Sequence, residues 1–418
     1  VDAQPTTGDA ERTDADDPAT LPPGRSPAPD AHAGDAATLA ATAIAVLDTH
    51  WQPDGYAVPN ADTYPHQWLW DSCFHAVVWA RCGHPDRAVA ELHSALAHQG
   101  PDGFVPHMTY WSDPQAAAGF WGRPSTSCIT QPPMYGHAVA ELAAAGVAVP
   151  SQVVDAAAAG LGFLLGARRA GGAGGVRVVH PWETGCDDSP RWDRWCAGTW
   201  TPQSWRQAKG DLVAAVAGPG RRGPTHSPAM DVEPAGFSAL VAYNARQLAG
   251  TGLCSPAVAT SLATAADEVA AALADRWVPQ LATWADTDHT GAPTSQVRTL
   301  DAVLGALVVD DDAQCAAALA TVTDPDAFAG RFGPAGVHRR EPAFDPDRYW
   351  RGPAWPQLGY LVWLAARRAA DHTTADAVAA ATVAGAVASG WAEFWNPDSA
   401  VGHGASPQSW TGLAAVMV

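Results

Sequence analysis

The segment His180-Pro181-Trp182-Glu183-Thr184-Gly185-Cys186-Asp187-Asp188-Ser189-Pro190-Arg191-Trp192 sets three carboxylates, two tryptophans and an arginine within a stretch broken by Gly and Pro. The breakers predict a loop rather than a helix. Acids beside indole rings on an irregular loop suit two tasks, protonating a leaving group and stacking on a sugar. A solvated acidic turn is the alternative reading of such a pair of aspartates, and other segments of similar character weigh against it. Tyr64-Pro-His-Gln-Trp-Leu-Trp-Asp71 places Trp68 and Trp70 beside a carboxylate, a set that offers ring faces to C–H groups and Asp71 to a hydroxyl pair. The competing reading makes Asp71 a first-turn acid of a helix. Gly103-Phe-Val-Pro-His107-Met108 and Ile129-Thr-Gln131-Pro-Pro133 supply two wall candidates, His107 and Gln131. A structural role is the alternative for His107, and the two prolines behind Gln131 predict an extended connection. Tyr349-Trp-Arg-Gly-Pro-Ala-Trp-Pro356 and Glu393-Phe-Trp-Asn-Pro397, continuing to Gln408-Ser-Trp-Thr411, complete five such segments.

Tryptophan usage points the same way. Of 19 tryptophans, sixteen fall in the windows 68–79, 111–121, 182–205, 350–363 and 391–410, among Gly, Pro, Asp and Gln, where several are expected to face a ligand. Two carboxylates far apart in sequence, each on a Trp-rich loop, meet the requirement of glycoside hydrolysis: one held protonated to donate to the departing oxygen, the other ionised to activate water or attack.

The loops need a scaffold, and the remaining sequence predicts a helical one. Residues 1–35 are rich in Asp, Pro, Ala, Thr and Gly and are expected to form a disordered tail ahead of one domain over 36–418. Within the domain, Ser255-Pro256 reads as a capped helix start, with Val258, Leu262, Ala265, Val269 and Leu273 recurring on one face. Ser151 opens a similar run through Leu165. Further helices are predicted near 36–50, 72–82, 86–99, 134–145, 231–249, 299–308, 312–321, 355–370, 374–389 and 407–418, about twelve in all. Val176–Val179 is the best short strand. Twelve helices joined by Trp-, Pro- and Gly-rich loops predict an all-α fold, an (α/α)6 barrel or toroid with its catalytic loops at one end. A helical solenoid would need a fixed repeat, and none is found. The stretch 206–230 reads as a long mobile loop, either a lid or slack.

Composition sets further bounds. Lys+Arg of 24 against Asp+Glu of 43 gives a formal charge of -19, which disfavours nucleic acid and anionic membranes as partners. The seven cysteines lack CxxC spacing, Cys73 and Cys82 read as core, and neither a zinc site nor any other metal or cofactor is expected. No secretory signal and no apolar run of membrane-spanning length is read, so a cytoplasmic protein acting on a small carbohydrate is the expectation.

In this order, the five segments resemble glycoside hydrolase family 63 and its close relatives, the mannosylglycerate and glucosylglycerate hydrolases. The resemblance runs from about residue 64 to the end and implies the toroid and an inverting α-glycosidase without metal or cofactor. It implies Asp187, in Glu183-Thr-Gly-Cys-Asp187, as general acid, Glu393 as general base, and Asp188 as a neighbour shaping the loop. Trp70, Asp71, Tyr349, Trp350, Trp355, Gln408 and Trp410 match positions lining the sugar subsite, and Glu183 and Arg191 match loop-fixing partners. Inversion implies carboxyl groups roughly 6.5–9.5 Å apart. Between Trp192 and Asp231 the chain departs from the family pattern. Arg206, Arg221 and Arg222 are available there for an acidic aglycone, with surface roles as the alternative. The expected substrate is a small α-glucoside or α-mannoside of the glucosylglycerate or mannosylglycerate type. Alternatives are a trehalase-like or oligosaccharide α-glucosidase, a non-catalytic sugar binder, and a terpene cyclase. The last needs DDxxD, where this chain has Arg191 in the final place.

Overall fold

In the computed structural model, which describes residues 35–418 apart from 219, the chain winds as pairs of antiparallel helices. The tail expected over 1–35 lies outside the described residues, except for Asp35. Its carboxylate caps α1 (Ala36–His50) by accepting from the Thr38 amide at 2.8 Å. The elements then alternate between an outer and an inner ring. Outer elements are α1, α3 (Pro85–Leu96), α6 (Ser151–Gly166), α9 (Pro256–Ala274), α10 (Asp312–Val322) and α12 (His372–Ala388). Inner elements are α2 (Leu69–Arg81), α5 (Tyr135–Ala144), α8 (Ala235–Gly250), a 3-10 segment Leu300–Leu307, α11 (Pro356–Arg368) and a 3-10 segment Ser409–Val416. Each inner element packs on the next, and Ser409–Val416 packs back on α2, which closes a ring of six. This is the (α/α)6 toroid.

Burial follows from sequence pattern. Inner elements are buried almost all round, as in α2 from Leu69 to Ala80 and throughout Leu300–Leu307, because they touch neighbours on every side. Outer helices bury one stripe, as in α9 with Leu262, Ala266, Val269, Ala270 and Leu273. At 19 residues, α9 is long and apolar enough by composition to cross a membrane, which amends the expectation that no run reaches that length. Its alanine-rich outer face carries the apolarity, while its leucine and valine stripe packs on α8.

Two helices stand outside this alternation. The first is α4 (Pro114–Trp121), capped by Asp113, and the second is α7 (Pro202–Val216), opened by a reciprocal Thr201–Ser204 capping box. The latter corrects the reading of 206–230 as a long loop, since 206–216 lies within α7. Trp205, Ala208, Leu212 and Val216 already recur at helical spacing, and Gly210 in their midst obscured it. Among the described residues strands are limited to two-residue pairs, such as Phe394–Trp395 with Gly402–His403, and Val178 makes a single bridge to Val232.

Beneath the loop end of the toroid, Arg168 and Glu183 form a bidentate pair at 2.7 and 2.8 Å with both side chains fully buried. Removing one partner of such a pair strands a buried charge. Arg168→Met is therefore expected to lower the unfolding free energy by about 3–5 kcal/mol in urea titrations. A loss below about 1 kcal/mol would show that the pair carries no structural load.

Candidate active site

The loops preceding the inner helices converge on a cleft whose empty space, the open mouth included, is about 880 Å³. Trp68, Trp70 and Asp71 reach it from the start of α2, Gln131 from ahead of α5, Tyr349 and Trp350 from ahead of α11, and Gln408 and Trp410 from the start of the last inner segment. Asp187 and Glu393 line the same space. Eleven of the twelve wall and catalytic candidates named from the sequence, His107 among them, thus line one cavity. The exception is Trp355, which is buried behind the wall and stacks under Trp350 with ring centroids 3.8 Å apart and planes 7° from parallel. It backs Trp350 and is not itself among the lining residues.

Glu393 precedes the Phe394–Trp395 hairpin strand and is buried. Its carboxylate accepts from the Ala405 amide at 3.0 Å and from the Tyr64 hydroxyl at 3.1–3.2 Å, and it has no ion pair among the described residues. Burial pushes the Glu393 carboxyl up to about 7, against the opposing pull of those two donors. Gly404, at φ +70°, lies so close that a Cβ there would collide with Glu393 Oε2. Asp71 is likewise raised well above the carboxylate range, by burial and by the nearby charge of Glu393.

Asp187 follows the 3-10 turn Pro181–Thr184, whose end is Gly185 at φ +72°. Any Cβ on Gly185 would run into the ring of Trp70, so the acid-bearing loop and the indole wall meet in direct contact. The Tyr349 hydroxyl lies 3.5 Å from Asp187 Oδ2. Asp188 serves the loop instead: Trp205 Nε1 and Lys209 Nζ, both on α7, donate to it at 2.7 and 2.9 Å. Further arginines fasten the loop. Arg191 donates to Asp301 at 2.6 Å and sits 3.5 Å from Asp286. Arg351 pairs bidentately with Asp193 at 2.7 and 2.8 Å and donates to the Asp188 carbonyl. Glu183 also accepts from the amides of Thr130 and Val179 at 3.0 and 2.7 Å, so both it and Arg191 hold the loop in shape.

The walls are aromatic. Trp70 meets Trp410 edge to face at 5.6 Å, and Gln131 accepts from the Trp70 amide. Trp350 holds φ +55°, a left-handed conformation unfavourable for a bulky residue and maintained here by its stack on Trp355. Trp68 Nε1, Trp350 Nε1 and Gln408 Oε1 are buried without a partner among the described residues, which leaves two donors and an acceptor for a polar ligand. His107, also on the wall, is held neutral, its pKa lowered by burial to about 3, and it bonds Ser127. Among the described residues no group of three or more His, Cys, Asp or Glu is placed to hold a metal. Sequence reasoning had not singled out Tyr64, Tyr110, Phe120 or Trp121 as site residues, though the Trp window at 111–121 was its signal for the last.

The sequence model of the mannosylglycerate hydrolase MGH1-like glycoside hydrolase domain matches residues 64–411. The chain belongs to this glycoside hydrolase family. A mannosylglycerate hydrolase of Rubrobacter radiotolerans is 27% identical over 426 residues, covering 89% of this chain and 95% of the relative. A glucosylglycerate hydrolase of Mycolicibacterium hassiacum is 26% identical over 433 residues, covering 84% and 91%. The crystal structure of the GH63 mannosylglycerate hydrolase from Thermus thermophilus in complex with Tris superposes with a TM-score of 0.78 at 24% identity, over 91% of this chain and 99% of the other, which establishes the shared fold. Family membership removes the terpene cyclase alternative.

Two outcomes follow from this family member's site. A raised folded-state pKa means that Glu393 keeps its proton in the fold when the unfolded chain has lost it. The stabilisation is complete below the ordinary 4.5 and is lost as pH rises through about 7. Glu393→Gln has no charge to bury, so it should raise stability above pH 7 by on the order of 3 kcal/mol and leave it nearly unchanged near pH 4. Thermal melts at the two pH values read this difference, and an equal effect at both would contradict it. Gly185→Ala should displace Trp70 and cut kcat/KM by about a hundredfold while the fold survives. Retained activity would show that the contact has slack.

Proposed function

We propose that this glycoside hydrolase cleaves a small α-glucoside or α-mannoside with inversion at the anomeric carbon, Asp187 acting as general acid and Glu393 as general base. The observation that carries this reading is the pairing of two carboxyls in one aromatic cavity, each on its own loop with its own tyrosine: Tyr349 at Asp187 and Tyr64 at Glu393. Asp187 gives its proton to the glycosidic oxygen as that bond breaks. Glu393 takes a proton from a water that attacks the anomeric carbon on the opposite face, which yields the β-sugar and the free alcohol. Water exchange then returns both carboxyls to their starting states. Ring faces of Trp70, Trp350 and Trp410 stack on the sugar, and Asp71 and Gln408 meet its hydroxyls. The relatives' names make glucosylglycerate and mannosylglycerate the first compounds to test. We also assign the reaction to the cytoplasm, supported by seven free cysteines, five of them buried, as a reducing compartment keeps them.

Asp187→Asn and Glu393→Gln should each lower kcat by about a thousandfold or more with the fold intact, and substantial residual turnover in either would reassign the roles. A base of pKa about 7 works when ionised, so kcat/KM of the wild type should rise with pH through about 7. Activity that falls across that range would make Glu393 the acid. Proton NMR of early product should show the β anomer, and α product first would replace inversion by a covalent route.

A further inference from the structure

Residues 403–405 cradle the proposed base. His403 lies opposite Phe394 in the hairpin register, Gly404 packs on the Glu393 carboxylate, and the Ala405 amide donates to Glu393 Oε2 at 3.0 Å. A different loop, 345–351, carries groups on the acid side of the cavity: Tyr349, whose hydroxyl lies 3.5 Å from Asp187 Oδ2, and the wall residue Trp350. The two segments meet at Asp347. Its Oδ1 accepts from His403 Nε2 at 3.0 Å and from Asn396 Nδ2 at 2.8 Å, so one carboxylate on the acid-side loop holds both limbs of the hairpin. A carboxylate only accepts, which places the His403 proton on Nε2.

A pile of rings joins the same two segments a second time. Trp355 lies between Trp350, at 3.8 Å, and Phe394, at 4.5 Å and 25°. Phe394 in turn stacks on His403 at 5.5 Å and 24°. Tyr349 stands edge-on to Trp355 and Phe394 at 5.3 and 5.5 Å. His403 therefore ends the stack behind the cavity wall and also holds, through Asp347, the loop from which that wall projects. Trp350, at φ +55°, is a strained link in this closed circuit. Stability does not account for the pair: the Asp347 side chain is 54% exposed, and an ion pair so open to water contributes little. Its place, between the base cradle and the acid-side loop, gives it a different effect. Inversion needs the two carboxyls held at a fixed separation around a water and a sugar.

We propose that His403 and Asp347 are positioning residues, a latch that holds the Glu393 cradle against the loop of Tyr349 and Trp350 and so keeps the proposed base in register with the proposed acid. The inference rests on the roles proposed for Glu393 and Asp187 and adds the groups that fix their spacing. With the latch open, residues 403–405 are held less firmly to the Glu393 carboxylate. The Ala405 amide is one of the donors that pull this carboxyl down, so weakening its bond lets Glu393 keep its proton to higher pH.

The test uses Asp347→Ala and His403→Phe, the second of which keeps a ring on the stack but has no donor. Both are compared with the wild type on whichever of glucosylglycerate, mannosylglycerate and trehalose it cleaves best. Each variant should lower kcat by about tenfold and move the rising limb of kcat/KM to higher pH. The urea midpoint of each should stay close to that of the wild type. The double variant should be no slower than the slower single one, because both changes remove one contact. His403→Gln, whose amide can donate to Asp347 in place of Nε2, should recover most of kcat. Wild-type kcat and pH limb in either single variant, additive losses in the double, or activity lost only in step with stability would overturn the latch while the proposed hydrolysis stood. A wild type that cleaves none of the three compounds, or one whose Asp187→Asn and Glu393→Gln variants stay active, would instead remove the proposed function and the latch with it.

Discussion

The loop that carries Asp187 is anchored at its base by one buried ion pair. Arg168, just past the end of α6, and Glu183, in the turn before Asp187, face each other with no solvent access, and the carboxylate also accepts two backbone amides. Two charges leave water at a cost that only a full set of partners offsets, so the arrangement tolerates no rotation of either side chain. One amide belongs to Thr130, whose neighbour Gln131 accepts from the Trp70 amide. The other end of the chain of contacts runs through Gly185, on which the Trp70 ring rests, to Asp187. This pair therefore links the loop of the proposed acid to the indole wall, and Arg191 and Arg351 fasten the same loop further along.

Two glutamates show how surroundings divide the same side chain between structure and chemistry. Glu183 has a guanidinium and is a fastener. Glu393 is equally buried but has a tyrosine hydroxyl and one amide in place of a cation, so its proton is held to about pH 7. The loop arginines extend the first pattern. Arg191 ties the acid-bearing loop to Asp301 in the inner ring, and Arg351 ties it to the loop that presents Tyr349 and Trp350. Planar guanidinium groups suit this work because one side chain can bridge two segments in a fixed plane. An acidic protein thus places several of its few cations inside, as connectors.

The scaffold was legible because its signal is periodic. Hydrophobic residues at helical spacing predicted all twelve elements of the two rings, two of which wind as 3-10 segments. The helices missed, α4 and α7, stand outside the two rings, where a short length or an internal glycine weakens the pattern. Cavity-lining residues were legible where an unusual side chain stood in an unusual setting, as with Asp187 between Gly185 and Pro190. Trp355 met the same criterion and lies behind the lining, since sequence cannot tell the front ring of a stacked pair from the one behind it. Tyr64 went unassigned for the converse reason: its partner Glu393 is 329 residues away.

By itself the sequence determined what is local or periodic: an all-helical toroid, a proposed acid on a broken loop, a proposed base ahead of a turn, and walls of tryptophan. Whether Asp187 or its neighbour faces the cavity was decided by α7, which takes Asp188 away through Trp205 and Lys209. Tertiary packing also buried Glu393 beside Tyr64 and closed one end of the cavity with Phe120, Trp121 and Trp182. Desolvation and ring contact are properties of surroundings, and those surroundings come from segments far apart in the chain.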